Sequence, residues 1–220
     1  MFSKEDKTVV RRTIMRRRCF AEFFGTAIMV GAGCGSIALG ASNLVISLSF
    51  GIAVTVAILI FQPISGAHIN PAVSIAFWRS GHLEREAVIP YILAQLSGAT
   101  LAAAFIQGIG TTTLSDEMSL FSASLVEVFI TFTLMGSIYW IVLRSQTHIS
   151  IAFFVGFVVA VLAFFFGPMT GASMNPARTF GPNLFSSSAS LIPFYSLTTV
   201  CGAWIAAELY NRFNQRKDQN

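Results

Sequence analysis

The triplet Asn-Pro-Ala occurs twice, as Asn70-Pro71-Ala72 and Asn175-Pro176-Ala177, with the copies 105 residues apart in a chain of 220. Asparagine is a preferred helix N-cap, and proline fits the first helical turn, where its missing N–H costs nothing. Each triplet therefore reads as a helix start, with a side-chain amide beside free backbone N–H groups and about half a positive charge from the aligned peptide dipoles. Just upstream, the carbonyls of Gly66, Ala67 and His68 in one copy, and of Gly171, Ala172 and Ser173 in the other, are candidate acceptors. Arg178 follows Asn175 by about one turn and lies near the same face. Donors flanked by acceptors stabilise and orient a neutral molecule with lone pairs, while the positive ends repel a cation or hydronium. That arrangement suits a single file of water.

Covalent chemistry has no foothold here. No nucleophile–base set suggests an enzyme, no His/Cys/carboxylate cluster has metal-ligand spacing, and no Gly-rich loop suggests a nucleotide. No catalytic residue, metal or cofactor is expected. The three cysteines, Cys19, Cys34 and Cys201, read as packing residues.

The surroundings of the triplets are strongly apolar. The chain is 54% hydrophobic and 11% charged, with a mean hydropathy of +0.69, outside the range of a soluble domain. Runs of about 20 apolar residues can cross a bilayer as helices. Six are expected, near residues 19–39, 44–64, 88–109, 120–142, 150–166 and 191–210. The triplets open two segments too short to span, at 70–79 and 175–184, which read as re-entrant half-helices. Pro63 and Gly66, and Gly167, Pro168 and Gly171, are expected to break the preceding spans so that the chain dips inward. Residues 1–18 read as a basic arm, 19–212 as one channel domain and 213–220 as a tail.

Sliding the sequence on itself by the triplet spacing aligns Glu22 with Glu127, Gly51 with Gly156, and Gly66-Ala67 with Gly171-Ala172. Each copy holds three spans (about 19–109 and 120–212), an odd number, so the second enters from the opposite side. The fold class is therefore all-α and polytopic: six transmembrane helices plus two re-entrant half-helices in an inverted 3+3 repeat. Residues 110–119 read as the linker. Glu22 and Glu127 are expected to bond the exposed backbone of the dipping loops, and Pro71 and Pro176 to support the helix starts. Gly25, Gly51, Gly98, Gly136, Gly156 and Gly202 are expected to let helices approach closely.

Basic residues set the expected orientation. Lys4, Lys7, Arg11, Arg12, Arg16, Arg17, Arg18, Arg79, Arg85, Arg144, Arg212, Arg216 and Lys217 all fall on one side of a six-span topology. Both termini are therefore expected in the cytoplasm, with the chain in the plasma (inner) membrane. The basic arm reads as topogenic, with weak lipid contact, and not as a nucleic-acid site.

The segments Ala21-Glu22-Phe23-Phe24-Gly25-Thr26, Ser65-Gly66-Ala67-His68-Ile69-Asn70-Pro71-Ala72-Val73 and Thr170-Gly171-Ala172-Ser173-Met174-Asn175-Pro176-Ala177-Arg178 resemble the aquaporin (major intrinsic protein) family, over nearly the whole chain. The resemblance implies a homotetramer in the lipid bilayer, one pore per subunit, passive bidirectional flow and no cofactor. It also implies an aromatic/arginine constriction at Phe50, Ala163, Ala172 and Arg178. Phe50, Thr179 and the pair Phe194-Tyr195 match water-selective members. Ala163 stands where strict water channels carry histidine, and a slip of one residue would place Phe164 there instead. A water channel is the leading expectation. A facilitator of glycerol, ammonia, peroxide or metalloid hydroxides is the near alternative. A coupled transporter is the remote one, with Glu22, Glu127 and Glu208 as its only intramembrane acids.

Overall fold

The computed structural model describes residues 4–145 and 147–217, with side-chain surroundings for 9–145 and 147–215. The ends of the expected arm and tail, 1–3 and 218–220, lie outside the described residues, as do the side chains of Lys4, Lys7, Arg216 and Lys217. The chain is helical throughout: α1 Lys4–Ala38, α2 Asn43–Ser65, α3 Pro71–Arg79, α4 Arg85–Phe105, α5 Leu120–Arg144, α6 His148–Thr170, α7 Pro176–Leu184, a 3-10 turn Ser187–Leu191, and α8 Ile192–Lys217. Among the described residues, six helices are long and apolar enough to cross a membrane. At 1.5 Å per residue, the nine residues of α3 and of α7 extend about 14 Å, under half of a bilayer's hydrocarbon core.

The two halves pack as images of each other. Helix α1 lies against α2 and α4 as α5 lies against α6 and α8, and α2 crosses α6 at the centre. The half-helices exchange partners, so that α3 rests on α8 and α7 on α4, across the repeat boundary. At the central crossing Gly51 and Gly156 face each other, and a Cβ on Gly51 would lie 2.6 Å from the Gly156 carbonyl oxygen. Gly98 faces the Phe23 carbonyl of α1, and Gly202 the Val128 carbonyl of α5. Gly136 does not share this role: no atom lies within 4 Å of where its Cβ would be. The outward faces carry exposed Phe20, Leu93, Phe121, Phe157, Phe165 and Leu197, as lipid contact requires.

Two boundaries differ from expectation. Helix α1 begins at Lys4, so the basic arm continues the first span. Residues 4–18 contain neither glycine nor proline and are rich in Arg, Lys and other good helix formers, so nothing stops the helix at the membrane edge. The expected breaks occur at Gly66 (φ +90°) and Gly171 (φ +71°), whereas Pro63 and Pro168 lie inside their helices and end neither. Glycine adopts that left-handed cap at no steric cost. Pro168 removes the N–H that would have met the Phe164 carbonyl, and the Asn43 amide fills that acceptor at 2.9 Å.

Candidate functional site

The loops between each long helix and its half-helix are held in conformations that side-chain-bearing residues rarely adopt. Ala67 (φ +48°) and Ile69 (φ +45°) in the first loop match Ala172 (φ +41°) and Met174 (φ +51°) in the second. Each such residue costs on the order of 1–3 kcal/mol unless its surroundings impose it. Two buried carboxylates impose it. Glu22 accepts from the Ser65 hydroxyl (2.6 Å), the His68 N–H (2.9 Å), the Ile69 N–H (2.6 Å) and the Gln95 amide (2.7 Å). Glu127 accepts from the Thr170 hydroxyl (2.7 Å), the Ser173 N–H (2.9 Å) and the Met174 N–H (3.1 Å). Each acid thus bonds two backbone N–H groups of its dipping loop. Tyr91 and Tyr195 donate to the Ser65 and Thr170 carbonyls at 2.8 and 2.7 Å, closing the loops from behind.

The triplets meet through their asparagines. The Asn70 side-chain oxygen caps α3 through the Ala72 N–H (2.9 Å), and that of Asn175 caps α7 through the Ala177 N–H (2.9 Å). The Asn70 amide donates to the Met174 carbonyl (2.8 Å), and the Asn175 amide donates to the Ile69 carbonyl (2.9 Å). Each asparagine thus caps its own half-helix and latches onto the other copy's loop. An amide NH2 has two donors, so one on each residue is left over. No protein donor meets the carbonyls of Gly66, Ala67 and His68, or those of Gly171, Ala172 and Ser173, among the described residues.

These loops line a cavity of about 440 Å³ that Asn70, Asn175, Phe50, Ala163, Ala172 and Arg178 share. Arg178 is buried, its guanidinium carbon 5.1 Å from the centre of the Phe50 ring, a cation–π distance. It donates to the Thr112 hydroxyl and to the Gly110 carbonyl at 3.4 Å. No carboxylate pairs with it among the described residues. The Phe50 ring lies against Gly33 of α1, where any Cβ would strike it. Ala163 faces the cavity, whereas Phe164 is 40% exposed and absent from its lining.

Linker residues 110–119 are more than a connection. Thr111, Thr113, Leu114 and Ser115 line the cavity, and the Asn183 side chain pins Thr112 through its N–H (2.8 Å) and its carbonyl (2.9 Å). Thr179 donates to the Thr112 hydroxyl at 3.0 Å, so the half-helix carrying Arg178 is tied to the linker that orients the guanidinium. Tyr91, Gln95, Thr112 and Asn183 are not among the expected site residues, and Tyr195, expected only as one of an aromatic pair, also closes the second loop. An ungapped self-alignment hides the two tyrosines, because the segment between triplet and tyrosine is one residue shorter in the second copy. Away from the cavity, Glu208 pairs with Arg79 at 2.6 Å. Arg18 donates to Glu84, whose carboxyl is thereby held below its ordinary range.

None of the cysteines lines the cavity: Cys34 is fully buried, Cys19 is half-buried and Cys201 faces outward. Mercurials should therefore leave the wild-type protein nearly unaffected, while Ala172→Cys, which puts a thiol beside Arg178, should become sensitive. Osmotic flux before and after mercurial treatment, with reversal by a reducing thiol, measures this. Equal block of both proteins would remove Ala172 from the cavity wall.

Comparison with known proteins follows the same lines. The profile of the Major intrinsic protein family matches residues 9–210. The chain is 34% identical to aquaporin AqpM of Methanothermobacter marburgensis over 237 aligned positions, covering 89% of this chain and 96% of that protein. It is also 34% identical to the glycerol uptake facilitator protein of Escherichia coli K12, over 78% of this chain and 74% of that one. Among solved structures it resembles the aquaglyceroporin from Plasmodium falciparum, with a TM-score of 0.78 at 24% identity, covering 90% and 95% of the two chains.

Proposed function

This chain belongs to the major intrinsic protein family of membrane channels, and from that premise we propose that it is a passive water channel that excludes protons and leaks small neutral solutes. The carrying observation is the crossed latch of Asn70 on the Met174 carbonyl and Asn175 on the Ile69 carbonyl, which joins two half-helix N-termini inside one cavity. Each N-terminus contributes about half a positive charge. A water passing between them accepts from the remaining amide donors and turns its own hydrogens toward the carbonyls on either side. Neighbouring waters are then oriented oppositely about the junction, and the chain of donors needed for proton hopping is interrupted there. Arg178, without an acid partner, adds a second positive barrier.

The solute leak is favoured by Ala163 and Ala172, which leave two walls of the constriction small beside the Arg178 donors. A facilitator whose main cargo is a small hydroxylated solute is the second reading, resting on the same pair. Coupled transport finds no support: Glu22 and Glu127 are engaged by the loops, and Glu208 by Arg79. The topology proposed is both termini in the cytoplasm of a plasma (inner) membrane, and the assembly a homotetramer with one pore per subunit.

Reconstituted vesicles test this directly. They should shrink rapidly under an osmotic gradient with a low activation energy, while an imposed pH gradient decays no faster than in empty vesicles. Proton flux scaling with water flux would overturn the mechanism.

A further inference from the structure

Gln62 is a polar side chain in the cavity with no task in the mechanism above. The stripe that α2 presents to the cavity runs Asn43, Ile46, Phe50, Val54, Ile58 and Gln62; of its two polar members Asn43 donates to the Phe164 carbonyl, and Gln62 has no such partner among the described residues. Gln62 stands twelve positions from Phe50, about 18 Å along the helix. The Phe50 end carries Arg178, and the Gln62 end carries the first loop, with Gly66, Ala67 and His68 beside it in the cavity wall. The Gln62 side-chain oxygen is buried and meets no donor among the described residues. The amides of Asn70, Asn175 and Asn183 are engaged at both ends, latching the loops or pinning Thr112; the Gln95 oxygen is also without a donor, but Gln95 lies behind the loop, held by its NH2 to Glu22 and Ser74, and does not line the cavity. An amide left without a protein partner beside a cavity is costly unless something passing through bonds it.

The repeat sharpens the point. Around the two loops the copies read Phe-Gln-Pro-Ile-Ser-Gly-Ala-His-Ile-Asn and Phe-Gly-Pro-Met-Thr-Gly-Ala-Ser-Met-Asn, so the position of Gln62 is Gly167 in the second copy. Helix α6 tolerates glycine there, and both positions line the cavity. The helix geometry therefore does not require an amide, and at the second end the place beside Gly167 is taken by Asn43, whose oxygen would lie 3.5 Å from a Cβ there and whose NH2 is already bonded to the Phe164 carbonyl.

We propose that Gln62 is a second selectivity residue, at the opposite end of the cavity from Arg178, where its amide NH2 donates to a small hydroxylated neutral solute. This rests on the channel reading above. A polyol leaving the Arg178 donors passes an apolar wall formed by Val54, Ile58, Leu134 and Val159, opposite the loops. Gln62, with the free carbonyls of Gly66 and Ala67, replaces its hydration at the far end. Water, small enough to keep its neighbours in file, depends on the amide much less.

Glycerol and water permeabilities of proteoliposomes, measured on the same preparations, decide the matter. Gln62→Leu and Gln62→Met keep the volume and remove the amide; each should lower the glycerol-to-water ratio about tenfold, the loss of about one hydrogen bond from the solute's path. Gln62→Asn, which keeps an amide, should stay within about threefold of wild type. An unchanged ratio in both apolar variants, or a wild type that admits no glycerol, would overturn the proposal while leaving the water channel standing. Loss of water flux in both apolar variants would also overturn it, by making Gln62 a structural residue. A wild type without osmotic water flux would remove the channel reading itself.

Discussion

Glu22→Ala should yield no folded channel, and the loss should exceed that of Glu127→Ala. The Glu22 carboxylate is the acceptor for four donors, two of them backbone N–H groups of the first loop. Removing it strands them in a buried site, at about 1–3 kcal/mol each. The sum is comparable with the whole stability of a typical domain, about 5–15 kcal/mol. It also releases Ala67 and Ile69 from the left-handed conformation that the carboxylate sustains. Glu127 has three such donors and no counterpart of Gln95. Glu22→Gln should be intermediate, since it keeps one acceptor oxygen but turns an NH2 group toward existing donors. Monodisperse yield after detergent extraction, and osmotic flux per folded protein, give the ordering. A Glu22→Ala channel with wild-type flux would mean that the loop holds itself.

Ala163→His should separate solute from water. The wild-type constriction has an aromatic wall at Phe50 and a guanidinium at Arg178, but only methyl groups at Ala163 and Ala172. A hydroxylated solute fits that gap and trades part of its hydration for bonds to Arg178. An imidazole at position 163 fills the gap and adds a polar wall, so a larger solute must shed hydration it cannot replace. Each unmet polar group costs about 1–3 kcal/mol, which corresponds to roughly 5- to 150-fold in passage. We expect at least about a tenfold fall in glycerol uptake normalised to water permeability, with water within about threefold of wild type. Phe164→Ala is the control: that ring points away from the cavity, so the ratio should hold. Equal exclusion of solutes by wild type and Ala163→His would place the selectivity elsewhere along the pore.

The sequence and the structure agree where residue type alone dictates geometry. Asn-Pro-Ala can hardly be anything but a helix start. Two matched copies an odd number of spans apart force the inversion, and a glutamate kept at the same place in both copies must serve something both contain. What sequence hid was mostly a matter of register. Tyr91 and Tyr195 do equivalent work, but the shorter second segment breaks their alignment. The linker looked like plain connection, because Thr112 gains its meaning only when Asn183 and Arg178 fold against it. Pro63 and Pro168 suggested breaks, yet a proline near a helix end costs one bond, and the Asn43 amide supplies a substitute donor for the Phe164 carbonyl. The role expected of Gly136 rests on one small residue recurring in each span, which says nothing of what lies opposite.

The crossed latch has a consequence for how the protein is made. The first loop acquires its partner only when Asn175 exists, because the Ile69 carbonyl takes its donor from that residue and the Asn70 amide needs the Met174 carbonyl. Those residues emerge from the ribosome more than a hundred positions later, an interval on the order of 5–20 s at ordinary elongation rates. Throughout it, the first three spans sit in the bilayer with a polar loop at membrane depth and an asparagine that has capped its helix but has nothing to hold. Half of this chain is therefore a stable insertion intermediate at best, dependent on water or the insertion machinery to cover its loop. The pore comes into being at a single late moment, when the second triplet arrives from the other side.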